Sequence, residues 1–384
     1  MIYLNNAATT KDKPKEVFEA VQRFLLGNNV SPGRGADRLS VEADSILTGT
    51  RASLAKLFNA EDPKQIVFTL NCSDALNTAI NGVLKPGDHV LITSIEHNSV
   101  VRPLRFLEKQ GVEVEIVSVD LKTYAADPME IVKRFKKNTK LVAMLHASNV
   151  IGAIQQIEEI GSLAKKKGIL FLVDAAQTTG IYDIDVRRMN IDLLAFAGHK
   201  GLMGPQGTGG LYIKTGTDIK PFRYGGTGSQ SELETQPEIM PDKFETGTPN
   251  TPGIAGLKAS VEFILRKGTD KIKKHSEELT NIVLDELKRL ERVKVYGPLD
   301  SKRQASVISF NIAGMEPKIV GDILEKKFGI IVRTGLHCSP LCHKTIGTFP
   351  KGTVRISMGY YNTVSDVKAA VQAVKEIALD NTRD

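Results

Sequence analysis

The 384-residue sequence predicts an α/β protein: a large unit on a mostly parallel sheet sandwiched by helices, then a smaller α+β unit. Three observations carry this reading. Short apolar runs alternate with helical patterns from about residue 60 to 215. Those runs are continuous rather than alternating, as strands buried on both faces must be. Past residue 252 the pattern changes to one long helix followed by short strands and helices.

Taken in order, residues 1–15 form an N-terminal arm expected to pack with the smaller unit. Ile66 to Phe68, His89 to Thr93, Val112 to Val119, Leu141 to Leu145, Ile169 to Val173 and Leu193 to Phe196 read as strands, and Ile157 to Lys167 shows the 3.6-residue period of a helix. A Gly-rich stretch, Tyr224 to Gly228, and a loop reaching Pro252 close the large unit, residues 16–252. Residues 253–384 make the smaller one. It holds a helix from Lys271 to Leu290, the run Ser306 to Asn311, a helix from Pro317 to Lys327, strands at Ile330 to Val332 and Thr353 to Ser357, and a last helix near Val364 to Ala378.

Composition excludes several classes. Hydrophobic content of 41% with 25% charged residues is that of a globular chain, neither fibrous nor disordered. The net charge of +7 is spread out: Lys165 to Lys167 and Lys271 to Lys274 read as solvated helix faces, so no nucleic-acid partner is expected. The surplus suits an anionic cofactor or an acidic partner protein. Three cysteines make no secreted-type disulfide framework. The N-terminus lacks the basic and apolar regions of a leader, and no apolar run is long enough to span a bilayer. A cytoplasmic protein without a membrane partner is the expectation.

In a parallel sheet the binding site lies at the carboxyl ends of the strands. Asp174 closes one expected strand and Lys200 follows the next. A lysine there, between Gly198 and Gly201, can be desolvated enough to act as an amine nucleophile and form a Schiff base. An aspartate at the neighbouring strand end can pair with a pyridinium nitrogen, the arrangement that makes pyridoxal 5'-phosphate (PLP) an electron sink. The segment Thr69 to Ser73, between a strand and a helix starting near Asp74, offers backbone and hydroxyl donors for a phosphate. Ser73 reads equally well as an N-cap.

These residues belong to a set spread along the chain: Asn5 to Thr10, Glu96-His97-Asn98, Ser148 to Gly152, Val173 to Gln177, Gly198-His199-Lys200, Phe244 to Asn250, Arg333 to Cys338 and Val354 to Ser357. With them the chain resembles the cysteine desulfurases of the class V aminotransferase group, within the fold-type I PLP enzymes. The resemblance implies that Lys200 bonds the cofactor, Asp174 partners its pyridine nitrogen, His97 stacks on the ring and moves protons, and Gln177 donates near the phenolic oxygen. It puts Cys72, Ser73 and His199 at the phosphate, with Thr248 reaching the phosphate of the other subunit of a homodimer. Arg355 corresponds to the arginine that forks the substrate carboxylate, and Asn149 contacts both substrate and cofactor. Ala7 belongs to the substrate-binding stretch. Arg34 either reaches the partner's active site or makes a surface salt bridge. Two positions depart from the pattern: Cys72 stands where a hydroxyl residue is common, and Ala197 replaces a frequent serine.

Cys338 separates a desulfurase from the other enzymes of this scaffold. Its Gly-containing loop also holds Arg333 and His337, whose positive charge would favour the thiolate. By the resemblance it takes sulfur from L-cysteine as a persulfide, leaves L-alanine, and passes the sulfur to an acceptor protein. The short span from Cys338 to Thr353 resembles the branch that uses a dedicated acceptor and often serves iron–sulfur cluster assembly. A selenocysteine lyase, a class V transaminase or Cβ lyase, and a non-catalytic sulfur carrier are the rivals. His337, Cys338, Cys342 and His343 also carry zinc-ligating atoms, but no second separated ligand pair exists, so no metal is expected. A Cys338–Cys342 disulfide, or sulfur relay between them, stays open.

Overall fold

The computed structural model describes residues 1–33 and 37–379, which places Arg34 outside the described residues. The chain opens with the short strand β1 (Ile2–Tyr3). Seven strands follow: β2 (Ile66–Thr69), β3 (His89–Thr93), β4 (Glu113–Val117), β5 (Thr139–Leu145), β6 (Leu170–Asp174), β7 (Leu193–Ala197) and β8 (Gly209–Ile213). They form one sheet in the order β2-β8-β7-β6-β5-β3-β4. β9 (Val293–Tyr296), β10 (Val307–Ile312), β12 (Arg333–Gly335) and β13 (Thr353–Ser357) form a separate antiparallel sheet, ordered β12-β13-β10-β9. The remaining strand, β11 (Ile330–Ile331), pairs in parallel with β1.

The large sheet is mostly parallel, as expected, with one strand as the exception. β3, β4, β5, β6 and β7 are parallel, whereas β8 runs against both β7 and β2. β2 therefore points the same way as β7, and the carboxyl ends of β2, β3, β5, β6 and β7 share one edge. Two separate apolar clusters cover the two faces, one around Phe171, Val173 and Phe196 and the other around Leu172, Leu193 and Ala195. Neighbours along one strand thus enter opposite cores, which explains the unbroken apolar runs.

β8 was not among the expected strands, because Gly209-Gly210 reads as a turn. The packing requires both glycines. A Cβ at Gly209 would lie 2.7 Å from the Asn71 backbone, and one at Gly210 would lie 2.3 Å from the Phe196 ring. The strand expected over Ile330 to Val332 ends at Ile331 as β11, and β12, in a different sheet, begins at Arg333. Helix Thr251–Lys267 packs against helices Lys15–Arg23 and Arg38–Phe58. A third apolar cluster, with Phe310, Leu324, Ile356 and Val374, fills the C-terminal part and takes in Leu4 from the N-terminal arm. No helix among the described residues is long and apolar enough to cross a membrane.

Candidate active site

Five segments leave the shared strand edge and converge. Beyond β2, Asn71 caps helix Cys72–Val83 by accepting from the Asp74 N–H, a bond worth about 1 kcal/mol. The helix thus begins two residues earlier than expected, and Ser73 is inside it rather than its cap. Ser73 Oγ lies 2.5 Å from Ser99 Oγ, and Ser99 in turn lies 2.9 Å from His97 Nδ1. His97, beyond β3, is itself the N-cap of helix Asn98–Glu108. Its Nδ1 accepts from the Ser99 N–H at 3.0 Å, which leaves the ring proton on Nε2.

Asp174 ends β6 with 6% of its surface exposed. Its Oδ1 accepts from the Ala176 N–H at 2.9 Å and from the Cys72 thiol at 3.4 Å. Its Oδ2 has no partner among the described residues, and Asp174 lines a cavity with Cys72, Ser73, His97, Gln177 and Lys200. Lys200 follows β7, and its amine makes no hydrogen bond or ion pair among the described residues. Burial pulls that amine below the ordinary lysine range, against the opposing pull of Cys72 and Asp174. Burial, with Asp174 beside it, pushes the Cys72 thiol well up, so it stays a neutral donor.

The N-terminal arm stitches this edge to the smaller sheet. Ala7 N–H donates to Ser357 Oγ at 2.9 Å, Gln177 Nε2 donates to the Ala7 carbonyl at 3.1 Å, and Thr10 Oγ donates to the Lys200 carbonyl at 2.8 Å. Arg355, on β13, is 1% exposed; Nη1 donates to the Asn149 carbonyl at 2.8 Å and Nη2 to Asn5 Oδ1 at 3.0 Å, while Nε is left without a partner. Arg333 stands opposite it across β12 and β13. Burial and that second guanidinium pull Arg355 down to about 9. Two arginines paired across strands without a carboxylate between them call for an anion.

Cys338 is exposed and sits in a left-handed turn, with φ of 48° at His337 and 60° at Cys338. Such a conformation costs non-glycine residues roughly 1 kcal/mol each. A hydrogen bond from His97 and another from Arg333 Nη2, at 3.1 Å, pull the thiol down to about 6, against the effect of burial. His337 supplies no charge, contrary to expectation. Its side chain is buried against Thr353 Oγ at 3.0 Å, and burial and the nearby arginines hold it well below the usual histidine range. Cys342 and His343 are fully buried, and all three cysteines are free thiols. The three-ligand cluster present among the described residues is elsewhere: His89, Glu113 and Glu115, with Lys136 bridging both carboxylates.

Not every expected residue meets in the cavity. His199 lies beside it, with Nδ1 3.0 Å from Thr9 Oγ; burial, Lys200 and Lys13 hold it down to about 4. Thr248 is exposed on a different cavity of about 380 Å³, with Arg51, Thr69 and Glu245 on its walls. Conversely, the sequence carries no sign of Ser99, which joins Ser73 to His97, and assigns no role to Glu96, part of the matching stretch at His97. Glu96 is fully buried, accepts from Thr93 Oγ and the Leu145 N–H, and so ties the turn before His97 to β5; burial pushes it up to about 8. An acid placed just before His97 at a strand end was the available signal.

The model of the aminotransferase class-V family matches residues 2–370. The probable cysteine desulfurases of Methanothermobacter thermautotrophicus and Pyrococcus abyssi are 36% and 37% identical, each alignment spanning 98% of this chain and 94% of the relative. The apo structure of a cysteine desulfurase from Thermococcus onnurineus superposes with a TM-score of 0.91 at 36% identity, over 98% of this chain and 94% of that one. The chain therefore belongs to the aminotransferase class-V family, in its cysteine desulfurase group. That family implies PLP, and the site fits it. An enclosed amine and a buried carboxylate oxygen, both without a partner among the described residues, and the first turn of the helix that Asn71 caps face one cavity.

Proposed function

We propose that this enzyme removes sulfur from L-cysteine, that Cys338 receives it as a persulfide, and that L-alanine leaves. The observation that carries the reading is the Cys338 thiol, exposed and drawn toward its anion by Arg333 and His97. Bound PLP would supply a sink for the charge that develops on the substrate carbons. Lys200 would hold its aldehyde, Asp174 its ring nitrogen through Oδ2, Cys72 and Ser73 its phosphate together with His199 and the partner's Thr248, and Gln177 its phenolic oxygen. Arg355 and Asn149, with Ala7, would orient the substrate, the guanidinium taking its carboxylate. His97, with Nδ1 held by the Ser99 N–H, would move protons at Nε2. In the overall transfer, the Cys338 thiolate forms an S–S bond with the substrate sulfur, the Cβ–S bond breaks, and the carbon takes a proton to become the methyl of alanine.

We read residues 16–252 as the cofactor-binding unit and 253–384, joined by the arm 1–15, as the smaller one, with helix Thr251–Lys267 packed back on the first. A cytoplasmic homodimer that hands its sulfur to an acceptor protein, in the service of iron–sulfur cluster assembly, completes the proposal. Mass spectrometry after incubation with cysteine tests it: the peptide holding Cys338 gains one sulfur. No added sulfur there, in an enzyme showing the visible band of its cofactor, would sink the reading.

A further inference from the structure

Ser339 precedes helix Pro340–Thr345 and occupies its N-cap, with Pro340 at the first helical position. A serine there ordinarily accepts a hydrogen bond from a backbone N–H of the first turn. This one makes no such bond. Its hydroxyl donates instead to Asn149 Oδ1 at 2.8 Å, where Ser339 is fully buried and Asn149 is 6% exposed. A local rule is broken, and the group that would have satisfied it is spent on another segment of the site.

The His337 carbonyl sets which way the Asn149 amide faces, and the Ser339 hydroxyl anchors the amide oxygen on the other side. With its oxygen toward Ser339, Nδ2 faces the His337 carbonyl and donates to it at 2.7 Å. Turned over, the amide would set its oxygen against that carbonyl oxygen, and neither can donate. One side chain thus grips the backbone just before Cys338 and the hydroxyl just after it. From the opposite side, the Asn98 N–H donates to the Cys338 carbonyl at 2.9 Å. The two gripped carbonyls belong to His337 and Cys338, the residues of this turn in left-handed conformation, which need such support to persist.

We propose that Ser339 is a positioning residue: its hydroxyl anchors the Asn149 amide against the His337 carbonyl and, through it, holds the turn that presents the Cys338 thiol to His97 and Arg333. Because the Asn149 carbonyl also carries Arg355 Nη1, one residue registers the substrate-orienting arginine against the thiol. The inference rests on the reading of Cys338 as the sulfur acceptor, and its test separates the two.

The test is alkylation of Cys338 by iodoacetamide as a function of pH in the cofactor-loaded enzyme, beside single-turnover persulfide formation. The charged and titratable groups facing the thiol are Arg333 on β12, Arg355 on β13 and His97 at its helix start. Ser339→Ala moves the alkylation midpoint upward and slows persulfide formation by between about tenfold and a hundredfold, with the cofactor's visible band unchanged. Ser339→Thr and Ser339→Val share a shape and differ by the hydroxyl, so Thr should exceed Val by about tenfold, even if Ala fails to fold. Equal rates for Thr and Val, or an Ala variant matching the wild type in both measurements, would overturn the proposal. A wild-type enzyme that forms no persulfide, with the alkylation midpoint still displaced in Ser339→Ala, would leave the clamp standing and remove the sulfur-transfer reading.

Discussion

Cys338 and Cys342 belong to one short segment and meet opposite surroundings. Cys338 lies in an exposed left-handed turn, where His97 and Arg333 draw its thiol down to about 6. Cys342, on helix Pro340–Thr345, is fully buried; its thiol lies 4.0 Å from Ser148 Oγ, and burial pushes it up to about 12. Each cysteine adjoins a histidine in sequence, yet neither histidine serves its neighbour: His337 bonds Thr353, and His343 bonds Thr348 at 2.6 Å. Of the two groups that hydrogen-bond and activate Cys338, Arg333 is in its own segment and His97 is far away in the chain. Thiol reactivity here is a property of the assembled strand edge, and local sequence says little about it.

The sharpest way to break the contrast is Cys338→Ala. Persulfide formation from cysteine should fall on the order of a thousandfold or more, to background, while the visible absorbance of bound cofactor stays. A variant that keeps transferring sulfur to protein would move the acceptor role to Cys342 or Cys72. Next comes Arg333→Leu, read by the pH dependence of Cys338 alkylation. In the wild type the thiolate prevails above a pH of about 6; without the guanidinium the midpoint climbs toward the ordinary thiol value. Alkylation at neutral pH then slows about tenfold and recovers in alkali, whereas an unmoved midpoint would remove Arg333 from the account. The smallest effect belongs to Cys342→Ala. Persulfide formation should stay within about twofold of wild type, and the urea midpoint should drop by the equivalent of about 1 kcal/mol. A collapse of sulfur transfer in that variant, with stability intact, would establish a relay between the two thiols.

The parts of the molecule dominated by periodic burial were legible in the sequence. β3 and β13 were read to the residue, and the placing of Asp174 and Lys200 at strand ends followed from continuous apolar runs meeting isolated polar residues. β8 was illegible because its two glycines answer to Asn71 and Phe196, contacts between segments that no window of sequence contains. The same holds for Ser339. Ser-Pro before a short helix reads as an ordinary cap, and the hydrogen bond that makes it something else runs to residue 149. Arg355 and Arg333 were placed by resemblance; their cross-strand pairing, which calls for an anion, belongs to the fold alone.

The threading of the N-terminal arm sets an order of events during synthesis. Ile2 and Tyr3 pair with Ile330 and Ile331, and Asn5 bridges to Ser357. Residues 2–5 thus have no seat until residues 330–357 have been made, although the seven-stranded sheet has all its strands by residue 213. A nascent chain can fold the platform that carries Lys200 and Asp174 well before Ala7 and Arg355 close over it. Maturation of the pocket therefore waits for the segment that carries Arg355 and Ser357, and a chain cut off after residue 330 would leave a folded sheet with an unfinished site.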